Sequence, residues 1–297
     1  MQIQSSFNQS VDTTKGRLYL VPTPIGNLED MTFRAINTLK SVSLVLAEDT
    51  RHTIKLFNHF EIDTKMRSFH EHSRPHEVDE LIELLETGSD LALVSDAGLP
   101  LINDPGHPLV QACMQAEISV IALPGANAAL TALIASGLSS ETFTYYGFFP
   151  RASKEQKAVL NLVGSRMETA IFYESPFRIK KAIQAIHKEL GASVQVVIAR
   201  ELTKRYEEYL RGTAAELVAY LDETTLKGEI VLMIEGGQLA DAMGTNAEID
   251  GLAEQPYKEQ VLYFIEEEAM SAKDAIKHVA KLRDVKKQVV YQAYHEI

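Results

Sequence analysis

Cysteine occurs once in the 297 residues, at Cys113. An intramolecular disulfide and a thiolate zinc site are therefore both excluded, and the chain suits a reducing compartment. Basic side chains are scarce: 29 Lys and Arg stand against 41 Asp and Glu, a formal net charge of -12. A global field of that sign repels phosphate backbones unless cations are gathered locally. No apolar run approaches the roughly 18 residues of a membrane span, and the opening MQIQSSFNQSVDTTKG has no apolar core of a signal peptide. The expectation is a soluble cytoplasmic protein with neither a membrane nor a DNA partner. Three signatures are also missing: the G-x-x-x-x-G-K-[ST] phosphate loop, the G-x-G-x-x-G dinucleotide fingerprint and the G-x-S-x-G nucleophile elbow. Triphosphate hydrolysis, ordinary Rossmann redox chemistry and serine hydrolysis lose their main support.

What is present is ordinary globular material, 45% hydrophobic and 24% charged, enough for two domains and unlike a disordered chain. The charge is unevenly placed. Residues 1–150 hold 9 basic and 18 acidic side chains, whereas 151–230 hold 13 and 11 and are net +2. The last stretch, 271–297, has six basic and three acidic residues. Local basic surfaces thus exist within an acidic total.

From Arg17 to Glu235 short apolar runs alternate with amphipathic stretches, the pattern of β-α units around a mostly parallel sheet. Strands are expected at 18–22, 44–47, 91–95, 119–123, 144–149, 170–173, 194–199, 206–210 and 229–234. Val78, Leu81, Ile82 and Leu85 share one helical face, as do Ile179, Ala182, Ile183, Ile186 and Leu190. The expected organisation is a tail over 1–16, an α/β domain over 17–123, a second over 124–236, a linker over 237–256 and a helical domain over 257–297. Helices are expected there at 261–269, 272–282 and 285–294, with Ser271 ahead of Asp274 in capping spacing.

Three loops follow strands. Pro22 to Asp30 combines two prolines, Gly26 and the cap-forming Asn27; Ser95 to Gly106 is long, polar and rich in Gly and Pro; Pro124 to Asn127 opens a helix of small residues. The first alone could be a tight structural turn and the second is longer than a connection needs, but ligands of open parallel sheets bind beyond the carboxyl ends of strands, and three loops there favour one shared cleft. His70, His72 and His76 lie in a segment broken by Pro75, which favours a substrate-side loop over a metal site. Leu46 to His52 gathers Glu48, Asp49, Arg51 and His52 at a strand end, either a helix-start charge cluster or a site. Phe172 to Arg178 and Arg200 to Glu208 set aromatic residues beside Arg and Lys, suited to RNA contact or to a salt-bridged surface.

LYLVPTPIGNLEDMTFRA, LAEDTRHT, FHEHS, LVSDAGLPLINDPG, LPGANAALTALIASGL, FYESPFR, ARELTKRYEE and KGEIVLMIEGG occur in this order. Over Arg17 to Gly237 the chain resembles the ribosomal RNA small subunit methyltransferase I family of the tetrapyrrole methylase superfamily. The helical tail resembles that family's helix-turn-helix-like end less specifically. The resemblance implies two α/β domains with S-adenosyl-L-methionine in the cleft between them, a homodimer, and 2'-O-methylation of a cytidine in the decoding region of 16S rRNA within the small ribosomal subunit. Matched position by position, it puts cofactor binding on Pro24, Asp96, Ala97, Gly98, Pro100, Asp104, Pro105, Gly106, Pro124, Gly125, Ala126, Phe172, Tyr173, Glu174 and Glu229. A ribose hydroxyl needs a proton acceptor. Glu48 and Asp49 are the first candidates, followed by His52 and Glu201. Arg51, His52, Arg178 and Lys204 suit the flanking RNA, and a tail carrying Lys273, Lys277, Lys281, Arg283, Lys286 and Lys287 suits docking to it. A small-molecule tetrapyrrole methylase and a non-catalytic RNA-binding regulator are the competing readings.

Overall fold

A computed structural model describes residues 4, 14–70, 75–239, 255–266, 270–283 and 285–295. The chain divides into two compact units, Met1–Leu160 with Glu168–Glu235, and Asn161–Met167 with Gly236–Ile297. The first unit holds two five-stranded sheets.

In the first sheet β1 (Arg17–Val21), β2 (Leu44–Ala47), β3 (Met66–Ser68), β4 (Leu91–Val94) and β5 (Ser119–Ala122) lie in the order β3-β2-β4-β1-β5, with every pairing parallel. Its strands are near-continuous apolar runs because both faces are covered. Ala92 and Val94 point into a core with Ala35 and Leu39 of α1 (Phe33–Ser41) and Phe57 of α2 (Thr50–Phe60). Leu91 and Leu93 point the other way, onto Leu81 and Leu85 of α3 (Pro75–Glu86) and Leu109 and Cys113 of α4 (His107–Gln115). Burial pushes the Cys113 thiol up to about 12, which keeps it unreactive. Because β4 and β1 are neighbours, the loops leaving their carboxyl ends start side by side.

The second sheet contains β6 (Phe143–Phe148), β7 (Thr169–Glu174), β8 (Gln195–Arg200), β9 (Glu208–Thr213) and β10 (Ile230–Glu235), in the order β6-β7-β10-β8-β9. Only β6 and β7 run parallel; the other three pairings are antiparallel. The expectation of mostly parallel pairing therefore holds for the first sheet and fails for the second. The cause is the short charged connection from Arg200 to Glu208, which turns β8 back on itself as β9 with no helix between. β3, three residues long, is also absent from the expected strands.

α5 (Ala128–Ser136) leaves the first sheet but packs on the second: Ala129, Ala132 and Leu133 contact a core with Ile171, Val197, Ala199, Val231 and Met233. Its small residues let the helix approach the strands closely. α6 (Ser153–Ser165), α7 (Ile179–Leu190) and α8 (Ala214–Glu223) follow β6, β7 and β9 along the chain. The five apolar residues expected on one face of α7 are all buried.

In the second unit α9 (Tyr257–Glu266), α10 (Ala272–Leu282) and α11 (Lys287–His295) enclose Val261, Phe264, Ala275, Ile276, Val279 and Val290. Ser271 caps α10 by accepting from the Asp274 N–H at 3.3 Å. Most of the expected tail, 1–16, and of the expected linker, 237–256, lies outside the described residues.

Candidate functional site

The loops after β1 and β4 are joined by a pair of backbone hydrogen bonds. The Thr23 N–H donates to the Gly98 carbonyl at 2.9 Å, and the Gly98 N–H donates back at 3.0 Å. The hydroxyl of Thr23 donates to the Ser95 carbonyl at 3.0 Å, and that of Ser95 to the Gly98 carbonyl at 2.9 Å. Gly98 has φ +84°, and a Cβ there would stand 3.3 Å from Ile25 and 3.4 Å from the Ala126 carbonyl. A Cβ on Gly125 would stand 2.3 Å from Pro22. Glycine is thus what lets the loops after β1, β4 and β5 meet.

Beside these loops a cavity of about 490 Å³ opens between the two sheets of this unit. The first sheet contributes Ile25, Asp96 to Leu99 and Ile102 to Asp104; the N-terminus of α5 contributes Asn127 and Ala128. The second contributes Phe148, Tyr173, Glu174, Leu202 and Gly228 to Val231. Apolar walls carry a few polar groups, the usual make-up of a small-molecule site. Asp104 is half-buried, and burial together with the nearby Glu48 and Asp96 pushes its carboxyl up to about 6, opposed by a bond from Ser95. Burial also raises Glu174, against the opposing pull of the Ser175 N–H at 2.6 Å and the Arg178 guanidinium at 2.9 Å. The Tyr145 hydroxyl bonds to the Asn103 side chain, tying β6 to the β4 loop.

Of the fifteen residues expected to hold a cofactor, Asp96, Ala97, Gly98, Asp104, Tyr173, Glu174 and Glu229 line this cavity. Pro24 lines a smaller one, of about 200 Å³, that also includes Asp96. Pro22, Gly125 and Ala126 support the loops from behind. Gly106 precedes α4 with its backbone against Leu93, and Pro100, Pro105 and Pro124 are outside the lining. Phe172 departs from its expected role. It is fully buried, stacked on Tyr146 at 5.0 Å, because alternation along β7 turns it away from the face that carries Tyr173. Ile25, Ile102, Phe148 and Leu202 were missed, since isolated apolar residues in a sequence look like core.

The charged candidates are largely engaged with one another. Asp49 is the N-cap of α2, accepting from the Arg51 N–H at 2.8 Å and from its guanidinium at 2.7 Å. Arg51 thereby holds the Asp49 carboxyl down to about 2, a poor proton acceptor. Arg178 pairs with buried Glu174 and donates to the Phe149 and Pro150 carbonyls at 2.6 and 3.2 Å, so its fork faces protein. Lys204 bridges Glu201 at 3.0 Å and Glu229 at 2.7 Å, fastening the β8–β9 turn to the start of β10. Arg51, Arg178 and Lys204 were read as RNA contacts; their pairs with Asp49, Glu174 and Glu201 are close in sequence and match the salt-bridged alternative, whereas the contacts with Phe149, Pro150 and Glu229 are distant and invisible to composition. Glu48 is half-buried at the end of β2. His52 faces Asp96 at 3.4 Å. His72 lies outside the described residues. On α10, Lys273, Lys277 and Lys281 are exposed on the side opposite the buried Ala275, Ile276, Val279 and Ala280, and Lys286 and Lys287 are exposed beyond it.

Residues 17–218 match the family of Tetrapyrrole (Corrin/Porphyrin) Methylases. The chain is 46% identical, over all of both chains, to a protein of Streptococcus pyogenes named ribosomal RNA small subunit methyltransferase I. It is 48% identical to the protein of that name from Bacillus subtilis, over 98% of each. Among solved structures it is similar in fold to cobalt precorrin-4 methyltransferase, a cobalamin biosynthetic enzyme, with a TM-score of 0.51 at 14% identity over 73% of this chain and 94% of that one.

Proposed function

Because this chain belongs to the tetrapyrrole methylases, among relatives named ribosomal RNA small subunit methyltransferase I, we propose that it transfers a methyl group from S-adenosyl-L-methionine to the ribose 2'-hydroxyl of a cytidine in the decoding region of 16S rRNA. The observation that carries the cofactor reading is the cavity bordered by Asp96, Asp104, Glu174 and Glu229. Glu174 is held by Arg178 and Glu229 by Lys204, so Asp96 and Asp104 are the carboxylates that suit a ligand with sulfonium and ammonium charges and ribose hydroxyls and repel a polyphosphate. Gly98 and Gly228 border the same cavity, Gly98 packed against Ile25 and the Ala126 carbonyl and Gly228 against Glu201. Asp96, Asp104 and Glu229 would hold polar groups, with Ile25, Leu202 and Val231 against the flat base.

Once bound, the cofactor supplies an electrophilic methyl carbon. The chain's own task is to align the ribose oxygen with it and exclude water, and such orientation supplies about 7–11 kcal/mol of barrier lowering in favourable cases. The exposed lysines of α10 and the start of α11 are suited to the phosphates of the small subunit. A cytoplasmic homodimer accords with this reading: Leu130 and Ile134 leave α5 with an exposed apolar edge, Ile134 being 80% exposed, and among the described residues no helix is long and apolar enough to cross a membrane. The test is a map of 2'-O-methyl groups in 16S rRNA from a strain lacking this chain. Loss of one cytidine methylation, restored by the gene, is the expected result; an unchanged map refutes the assignment.

A further inference from the structure

Asp96 borders both cavities, the larger one of about 490 Å³ and the smaller one of about 200 Å³ that contains His52, Thr53 and Lys55 of α2. Its carboxylate is oriented. Oδ1 accepts from the Asp49 N–H at 3.2 Å at the start of α2, and Oδ2 lies 3.4 Å from Nδ1 of His52. A neutral imidazole facing a carboxylate through Nδ1 carries its hydrogen there and keeps its lone pair on Nε2. Such contacts are commonly long before substrate arrives and tighten in the complex.

Resting on the reading that this chain methylates a ribose hydroxyl, we propose that His52 is the proton acceptor for that hydroxyl, with Asp96 as its positioning residue and the smaller cavity receiving the acceptor nucleoside. Competing carboxylates are less well placed. Asp49 is bound by Arg51, and Asp104 borders the larger cavity, where the cofactor would cover it. His52 lines the smaller cavity, beside Asp96, which borders both. In the reaction Nε2 takes the hydroxyl proton while the bond from ribose oxygen to methyl carbon forms and the bond from sulfur to that carbon breaks. The positive charge passes from sulfonium to imidazolium, which then faces Asp96, and neutral S-adenosylhomocysteine leaves. The charged groups around the ring are Asp49, Arg51 and Lys55 on its own helix and Asp96 from the β4 loop.

Two measurements test the pair. Long-range proton–nitrogen NMR of the ligand-free protein should show His52 with hydrogen on Nδ1, a preference lost in Asp96→Asn; hydrogen on Nε2 in the wild type overturns the proposal. Single-turnover methylation of small subunits at saturating cofactor should fall about 10²–10⁴-fold in His52→Gln, with calorimetric cofactor affinity unchanged. A His52→Gln rate within threefold of wild type overturns the pair alone. A wild type that methylates no ribose overturns the functional reading and, with it, the role of the pair.

Discussion

Replacing Asp104 by Asn removes the carboxylate that the fold disfavours most clearly in the larger cavity. Its carboxyl is pushed from 3.8 up to about 6, a gap worth at most about 3 kcal/mol. The side chain is only half-buried, so solvent screening reduces this to about 1 kcal/mol. The sign follows from proton binding. A carboxyl with a raised folded value binds more protons folded than unfolded, so its contribution to stability falls as pH rises from about 4 to about 6 and stays unfavourable above. Asp104→Asn should therefore unfold at higher temperature than wild type at pH 8 without ligand, by a few degrees. A cationic ligand reverses the balance, because it favours the ionised form. Wild-type affinity for S-adenosylmethionine should weaken below pH 6, by about tenfold at pH 5, if one group must lose its proton for binding. Titration calorimetry at pH 7.5, 6 and 5 reads this directly. In Asp104→Asn the affinity should be lower at pH 7.5 and flatter with pH. Parallel pH curves for the two proteins, or a variant less stable at pH 8, would refute the reasoning.

Three further outcomes are expected. Gly98→Val forces a branched side chain into a left-handed conformation against Ile25 and the Ala126 carbonyl; it should cost about 1–3 kcal/mol from backbone strain alone and weaken cofactor binding, measured by denaturant unfolding and calorimetry. Arg178→Ala strands the Glu174 carboxylate, whose side chain is 1% exposed, and should destabilise by about 3 kcal/mol without changing the salt dependence of subunit binding. Joint replacement of Lys273, Lys277 and Lys281 by Ala should leave the melting temperature within about 2 °C and lower the slope of log affinity against log salt by about 2–3. An unchanged slope would remove α10 from the RNA surface.

The legible parts of the fold are those where one physical cause writes directly into residue order. Double burial writes LYLV, LVLA and LALV as apolar runs, and a single buried face writes Ile179, Ala182, Ile183, Ile186 and Leu190 at helical spacing. Strand direction is not written that way, because a strand reads the same in parallel and antiparallel pairing; hence the second sheet was misread. The loops carrying Gly98 and Asp104 stood out because positive φ and close backbone contact demand unusual residues. For Asp49 the helix-start alternative offered beside the site matches the structure, an Asp directly before the helix starting at Thr50. The distant partners of Arg178 and Lys204 gave none, Phe149 lying 29 residues from Arg178 and Glu229 25 from Lys204, whereas Glu174 and Glu201 stand only four and three residues away.

These placements also account for an acidic protein among relatives named for ribosomal RNA. A net charge of -12 is a sum over surfaces that act separately, and fields beyond roughly 8–10 Å are screened at physiological salt. The carboxylates of Asp96, Asp104, Glu174 and Glu229 are gathered at one cavity, where burial, with Glu48 and Asp96 nearby, raises Asp104 and a cation would be favoured. The lysines lie instead on α10 and the start of α11, with exposed heads and a shared apolar side beneath. Neither set can substitute for the other. Adding lysines around the cavity would neutralise the carboxylates that favour a sulfonium, and adding carboxylates to α10 would cancel its attraction for phosphate. The total charge then bounds only affinity for naked RNA, which should be weak, while recognition of a folded subunit depends on where the few cations stand.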